Sequence, residues 1–484
     1  MKSLTLNRLV VLIAFLGVFA MAARTVVDTD LYWHLATGRY IVETGQIPQT
    51  DPFSSTRVGT PWVNVQWLPQ IGLYLLYGAG GFGALSLLVA VLVTLAGVFV
   101  WRAMTGDVFL RAFGLVLFAA ASGLVWTPRP NILTFVLLAA LNYLLYIYRH
   151  KSIDRLWLIP VLFLVWVNLH GGYMIGLILI GATLLGDAID RLLGQPSLAC
   201  MTWSGMRKLL VVTVLGVLAL VVNLYGIQAL LLPLQTVGME ASARWIMEWA
   251  SPDFHQLSEQ PMLWLLLLTL LAVGRSGRRM DLSDGLSVAG FALLAFVSRR
   301  NIGLYAVVCA PIFVRYAAAA VENMRTRPAA PRGAGIGWLN ALILFIVAAL
   351  AAFKVAVAAS PAAQSAAERD LVPVAAADWL ASNRPAGAMF NSYNWGGYLL
   401  WRLWPDYPVY VDGRADVYGD EFLRAYLKIA LAEPGFDTTL DEQRIGFVAV
   451  ERDSALSRML SGIDVWSLAY ADEQAVIYTR KMPP

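Results

Sequence analysis

The sequence predicts a polytopic α-helical membrane protein of about 11 transmembrane helices with a small C-terminal soluble α/β domain. Three observations carry this. Of the 484 residues, 58% are hydrophobic and 14% charged, whereas soluble domains carry about 25% charged residues. Long apolar runs recur from residue 9 to residue 358 and then stop. The formal charge of +4 is also unevenly divided: from Glu368 onward there are 17 acidic and 11 basic residues, so the first 367 residues carry +10. Lys and Arg gather on the cytoplasmic side of membrane proteins, whereas translocated domains ignore that rule. A basic body with an acidic tail therefore predicts an extracytoplasmic tail. The same composition excludes a disordered chain or a nucleic-acid partner. Two cysteines, Cys200 and Cys309, cannot build a disulfide framework.

In chain order, residues 9–23 form an apolar run behind Lys2 and Arg8. Ala20-Met21-Ala22 has the small-x-small pattern of a signal-peptide cleavage site. A first transmembrane helix is the preferred reading, because many further spans follow. Residues 24–80 are too polar to cross, holding Asp28, Asp30, His34, Arg39, Glu43, Asp51 and Arg57. Within them, 33–44 and 61–77 mix aromatic and polar residues at helical spacing, as interfacial helices do. Pro48, Pro52, Gly59 and Pro61 separate the two. This is a long first outer loop.

Further spans are predicted near 82–103, 107–126, 131–148, 156–169, 173–192, 208–224, 261–274, 284–297, 302–320 and 336–358, several of them short for the roughly 20 residues of a straight crossing. The basic clusters Arg149-His150-Lys151, Arg207-Lys208, Arg275 with Arg278-Arg279, and Arg325 with Arg327 and Arg332 fall on one side, read as cytoplasmic. The other side collects Asp28-Thr29-Asp30, Thr127-Pro128-Arg129-Pro130-Asn131, Asn168-Leu169-His170-Gly171-Gly172, Asn223-Leu224-Tyr225-Gly226 and Ser298-Arg299-Arg300-Asn301. A second outer loop, 226–260, adds Arg244, Trp245, Glu248, Trp249 and Asp253. Polar groups at helix ends are costly unless they pair or act. Their convergence predicts an outward-facing polar cavity. The domain division is thus 1–358 for the membrane part and 359–484 for the tail. In the tail, 372–382 and 421–432 read as helices, 407–411 and 446–450 as strands, and 466–471 with 474–480 as a hairpin.

Asp28 and Asp30 stand where the chain leaves the first span, with His34 one helical turn beyond Asp30. Two carboxylates at the edge of a low-dielectric cavity suit base or metal chemistry. The bland alternative is a solvated loop start. Arg129, Arg299 and Arg300 suit phosphate, because a guanidinium donates two hydrogen bonds from one plane. Anchoring to lipid headgroups is their alternative. His170 precedes two glycines and reads equally as a helix-end hydrogen bonder. Four histidines and two dispersed cysteines argue against zinc. There is no G-x-S-x-G, Walker loop or H-E-x-x-H. In the tail, 391–399 and 410–419 are rich in Gly, aromatics and hydroxyl-binding side chains, which fits saccharide contact and turn-building with packing equally.

The layout resembles the GT-C superfamily of integral-membrane glycosyltransferases. The sequence carries that resemblance at 28–39, 45–48 and 51–54. Further support comes from Asn168-Leu169-His170-Gly171-Gly172, Ser298-Arg299-Arg300-Asn301, Trp395-Gly396-Gly397-Tyr398 and Asp412-Gly413-Arg414. The resemblance implies a hexosyl or pentosyl transferase in the bacterial cytoplasmic membrane. It would use a polyprenyl-phosphate sugar and a lipid, glycan or protein acceptor, with no nucleic acid as partner. It implies Asp28 or Asp30 as the catalytic carboxylate. His34, Arg129, His170, Arg299, Arg300 and Asn301 are the implied substrate-binding set. No cofactor is certain; some members hold a divalent metal at the acidic pair, and the tryptophan-aspartate signature of oligosaccharyl transferases is missing here. A transporter or flippase for a lipid-linked sugar or anion is the rival reading, and a non-catalytic glycan-binding scaffold the third.

Overall fold

The computed structural model describes residues 4–237, 248–324 and 336–481. Arg244, Trp245, Arg325, Arg327 and Arg332 lie outside them. The chain forms two compact units that cut across its order. One comprises Met1–Arg24, Ser86–Pro233 and Met247–Ser360; the other comprises Thr25–Leu85, Leu234–Ile246 and Pro361–Pro484.

The first unit is helical. Among the described residues, six helices are long and apolar enough to cross a membrane: Trp67–Ala103, Val108–Val125, Asn131–Lys151, Tyr173–Leu192, Arg299–Met324 and Gly337–Ala358. Shorter apolar helices cover Leu6–Ala22, Leu158–Val167, Gln260–Arg275 and Leu282–Val297. Length and composition thus support six of the eleven expected crossings. The expected span at 208–224 is a helix at Trp203–Ala219, and the expected loop 226–260 begins with a helix, Ile227–Val237. In Trp67–Ala103, Gly80 and Gly81 leave helical geometry, and Gly81 takes φ 59°, where a side chain would be strained.

Burial separates inner from outer helices. The segment 299–324 is mostly buried and rich in small residues, including Ala306, Ala310, Ala317, Ala319 and Ala320. Small residues let helices approach closely where no water drives association. By contrast, Gly337–Ala358 buries only Asn340, Ala351 and Ala358 and exposes Trp338, Phe345, Leu350 and Phe353, a surface suited to lipid. Arg149 was read from sequence as part of a basic loop. It is instead buried and bonded to Asp187 at 2.9 Å, while Arg315 meets Asp284 at 2.5 Å. These pairs tie four helices together at one end of the unit.

The second unit combines the segment after the first helix with the tail. Helix Asp30–Thr44 places Asp30 in its first turn, where a carboxylate complements the helix dipole. It ends at Gly45, whose φ of 68° fits a left-handed cap. A four-stranded sheet has the order β1-β2-β4-β3, with β1 Ala388–Asn391, β2 Ile445–Glu451, β3 Trp466–Ala471 and β4 Ala475–Arg480. β1 and β2 are parallel, and the predicted terminal hairpin β3–β4 is antiparallel. Helices Val374–Asn383, Tyr393–Leu403 and Ala415–Ala430 pack around it.

The strand expected at 407–411 does not form. Val409 makes only an isolated bridge with Ser54, donating its N–H to Phe53, while Tyr410 donates to the Asn391 side chain at 2.8 Å. Pro408 supplies no donor, and the remaining backbone groups bond to a side chain and a loop rather than to a ladder. The stretch 391–399 contains a strand end and most of a helix. Trp395, Tyr398, Leu399 and Leu400 face the core.

Candidate functional site

The expected site residues fall into two sets, one in each unit. Asp28, Asp30 and His34 belong to the second unit; Arg129, His170, Arg299, Arg300 and Asn301 belong to the helical one.

In the acidic set, Asp28 is buried and its Oδ1 accepts the Asp30 backbone N–H at 3.0 Å, fixing the helix start. The tail lies against this turn. A Cβ on Gly397 would stand 2.9 Å from the Thr29 carbonyl oxygen, and one on Gly413 only 2.1 Å from the Asp30 Oδ1. At Gly397 the obstacle is backbone, so glycine is required there, and at Gly413 a side chain would have to displace the Asp30 carboxylate. The Tyr393 hydroxyl shares this surrounding: burial, then Asp30, Asp412 and Asp416, push it well above its ordinary range. Trp33 follows one turn on. Its ring lies 3.5 Å from that of His34, and its Nε1 stands 3.1 Å from the same point above Gly413.

His34 is itself buried. Its Nδ1 lies 3.2 Å from the Gln70 amide nitrogen, and Gln70 accepts from Asn64 at 2.7 Å. This position braces the Trp33 ring from behind.

Beneath Gly413 lies Arg414, the last member of the Asp412-Gly413-Arg414 motif, to which sequence alone assigned no individual role. The Arg414 side chain is completely buried, with both ends of its guanidinium on Asp412 at 2.8 and 2.6 Å and a third bond to Asp51 at 2.6 Å. It stacks over Trp62 and Phe53 at 4.8 and 5.1 Å, and Tyr418 donates to Asp412 at 3.0 Å. Asp51 also accepts from the N–H groups of Phe53 and Ser54. The two carboxylates hold Arg414 charged despite its burial. The Asp412-Gly413-Arg414 motif is thus an anchor that presents Gly413 to Asp30. Its partner Asp51 lies 363 positions away, so no local signal could have revealed the pair.

The cationic set is arranged by the residues around Glu248. Arg129 is paired with Glu248 and bonded to Thr127 at 3.2 Å. Arg299 pairs with the buried Glu259 at 2.5 Å. Arg300 lies 4.5 Å over the Trp249 ring. The backbone joins in: Arg299 and Arg300 donate to the carbonyls of Ala250 and Glu248. Partial burial opposes ionisation of Glu248, but Arg129, Arg300 and Arg299 together hold its carboxyl below the ordinary range. Asn301 uses its side-chain amide to bond the Leu294 carbonyl at 3.0 Å, finishing the preceding helix.

His170 ends a relay. Trp166 donates to the Thr134 hydroxyl at 2.8 Å, which lies 2.8 Å from His170 Nδ1, and Gly172 N–H donates to the same nitrogen at 3.1 Å. Enclosure, then Arg300 and Arg129, lower the imidazole to about 3. It is therefore neutral at physiological pH, with Nδ1 an acceptor and its proton on Nε2. Among the described residues no group of three or more His, Cys, Asp or Glu side chains is placed to hold a metal ion, so no step through a metal is derived.

No family model matches the chain, and no curated protein matches it in sequence. Solved structures do match in fold. The apo oligosaccharyltransferase of Archaeoglobus fulgidus aligns with TM-score 0.57 at 11% identity over 92% of this chain and 69% of its own. The oligosaccharyltransferase AglB from Archaeoglobus fulgidus, in complex with an inhibitory peptide and a dolichol-phosphate, aligns with TM-score 0.55 over the same shares at 11% identity. A mutant of the mycobacterial arabinofuranosyltransferase AftD aligns with TM-score 0.52 at 17% identity over 99% of this chain, which spans 42% of that larger protein. The chain shares its fold with these solved structures.

Proposed function

We propose that this protein is a glycosyltransferase that moves a sugar from a polyprenyl-phosphate donor to an acceptor at the outer face of a bacterial cytoplasmic membrane. The observation that carries this reading is the Asp28–Asp30 turn, backed by glycines of the tail within the second unit. A carboxylate held that closely has a fixed direction, as a base or acceptor-orienting group needs. The shared fold supports the same reading.

In this mechanism an aspartate takes the acceptor proton as the acceptor oxygen or nitrogen approaches the sugar C1. The bond from C1 to the phosphate oxygen breaks through an oxocarbenium-like state, and its electron pair leaves with the phosphate. Arg129, Arg299 and Arg300 supply the compensating charge, and neutral His170 donates from Nε2. Because Arg129 is already paired with Glu248, donor phosphate must compete with that carboxylate. Asn301 and His34 act as positioning residues behind their neighbours.

The test is release of free polyprenyl phosphate from a panel of polyprenyl-phosphate sugars by the purified full chain, beside Asp28→Asn and Asp30→Asn. Release lost in at least one variant at unchanged expression is expected, and the active donor names the sugar. Full release in both variants would remove the aspartates from catalysis. Tight donor binding without release from any donor would favour a transporter or flippase.

A further inference from the structure

Trp33 is 7% exposed, and among the described residues its indole Nε1–H has no hydrogen-bond partner. Leaving a buried donor unsatisfied costs about 1–3 kcal/mol, so such groups in folded proteins call for an explanation, a ligand among them. The orphan is also specifically placed. Asp30 Oδ1 and Trp33 Nε1 lie 2.1 and 3.1 Å from one point, the position a Cβ would take on Gly413. A carboxylate that accepts and an indole that donates therefore converge above a residue that has no side chain. The Arg414 anchor keeps that residue in place through its bonds to Asp412 and Asp51. The stacked His34 ring and the Gln70 bond fix the orientation of Trp33 from the other side.

We infer that Asp30 and Trp33 form the cradle for the acceptor's nucleophilic atom, and that this atom is a hydroxyl oxygen rather than an amide nitrogen. The inference rests on the proposed transfer reaction and deepens it. An atom seated there gives a hydrogen bond to Asp30 and receives one from Trp33. A hydroxyl does both at about 2.8 Å from each partner. An amide nitrogen can give a hydrogen bond to the carboxylate, but its lone pair is delocalised into the carbonyl and accepts nothing from the indole. A cation at this point would face the positive end of the N–H dipole. As the hydroxyl oxygen bonds to C1, its proton passes to Asp30 and the phosphate departs with the electron pair of the broken bond. Trp33 is a positioning residue throughout, holding the oxygen lone pair in line.

The experiment uses the full chain in lipid nanodiscs with 15N-indole-labelled tryptophan. Trp33→Phe, which keeps an apolar ring and removes the N–H, identifies the resonance among the 17 tryptophans. Three probes are titrated: hexyl glucoside for a sugar hydroxyl, N-acetylserine amide for a protein hydroxyl, and N-acetylasparagine amide for an amide nitrogen. The expected result is a downfield move of the Trp33 indole proton with one of the two hydroxyl probes, the responding one naming the source, and none with the asparagine probe. In the donor-release assay with that hydroxyl probe, Trp33→Phe raises the acceptor KM about tenfold with donor affinity unchanged. No movement with either hydroxyl probe, or a movement with the asparagine probe, overturns the inference. The two readings fail separately. An indole shift without aspartate-dependent release from any donor ends the transferase reading and leaves the hydroxyl site; release without a shift does the reverse.

Discussion

Both units bring arginines and carboxylates together, and they do so in opposite ways. In the second unit, Arg414 is completely buried with Asp51 and Asp412, and every bond comes from within that core. In the helical unit, Arg129 meets Glu248, whose side chain is 47% exposed. The first arrangement cannot exchange partners without exposing charge to a low-dielectric interior, where an unpaired ion costs several kcal/mol. The second can, because water reaches the carboxylate. Identical residue types are architecture in one place and an exchangeable contact in the other. Burial decides which.

The comparison is easiest to break at Arg414. Arg414→Ala leaves two buried carboxylates without their cation and is expected to destabilise the second unit by about 3–5 kcal/mol. Denaturant unfolding followed by protease sensitivity of the tail measures this; an unchanged midpoint would mean the pair is not the anchor. Arg129→Ala comes next. It is expected to weaken donor binding by about ten- to a hundredfold, the worth of a charge-assisted contact, while unfolding shifts by less than about 1 kcal/mol. A loss of stability with unchanged donor affinity would make Arg129 structural after all.

Glu248→Gln sharpens the contrast. Removing the competing carboxylate is expected to tighten donor binding about two- to fivefold, as expected where one partner of the pair is half-exposed; weaker binding would assign Glu248 to the donor instead. The smallest effect concerns His170. Its pKa is depressed to about 3 in the folded protein, below the ordinary value of about 6.5. The unfolded chain then binds the extra proton, so the stability it contributes is present above pH 6.5 and declines as pH falls toward 3. His170→Gln should flatten this part of the stability profile, read as the slope of Tm between pH 6.5 and 5. An unaltered slope would place the pH response elsewhere.

Much of the fold was legible because it is local. Apolar runs of crossing length, the helix before Gly45 and the terminal hairpin all follow from periodicity and punctuation within short windows. The reading failed where a stretch takes its hydrogen bonds from afar. Residues 407–411 have strand-like composition, yet bond to Asn391 and to the segment around Phe53. For 391–399 the composition fitted sugar contact and packing equally, and burial of most of its side chains in the core is something only the fold displays.

By itself, the sequence determined a membrane body with an acidic tail, the acidic turn Asp28–Asp30 and the arginines at helix ends, since charge and hydropathy are properties of the chain wherever it goes. Tertiary structure alone decided which charge answers which. It joined Arg414 to Asp51, gave Glu248 to Arg129, and brought Gly413 against Asp30 and Trp33. The reason is physical: an ion pair or a missing Cβ acts over a few ångströms, and only the folded backbone sets which distant residues come that close.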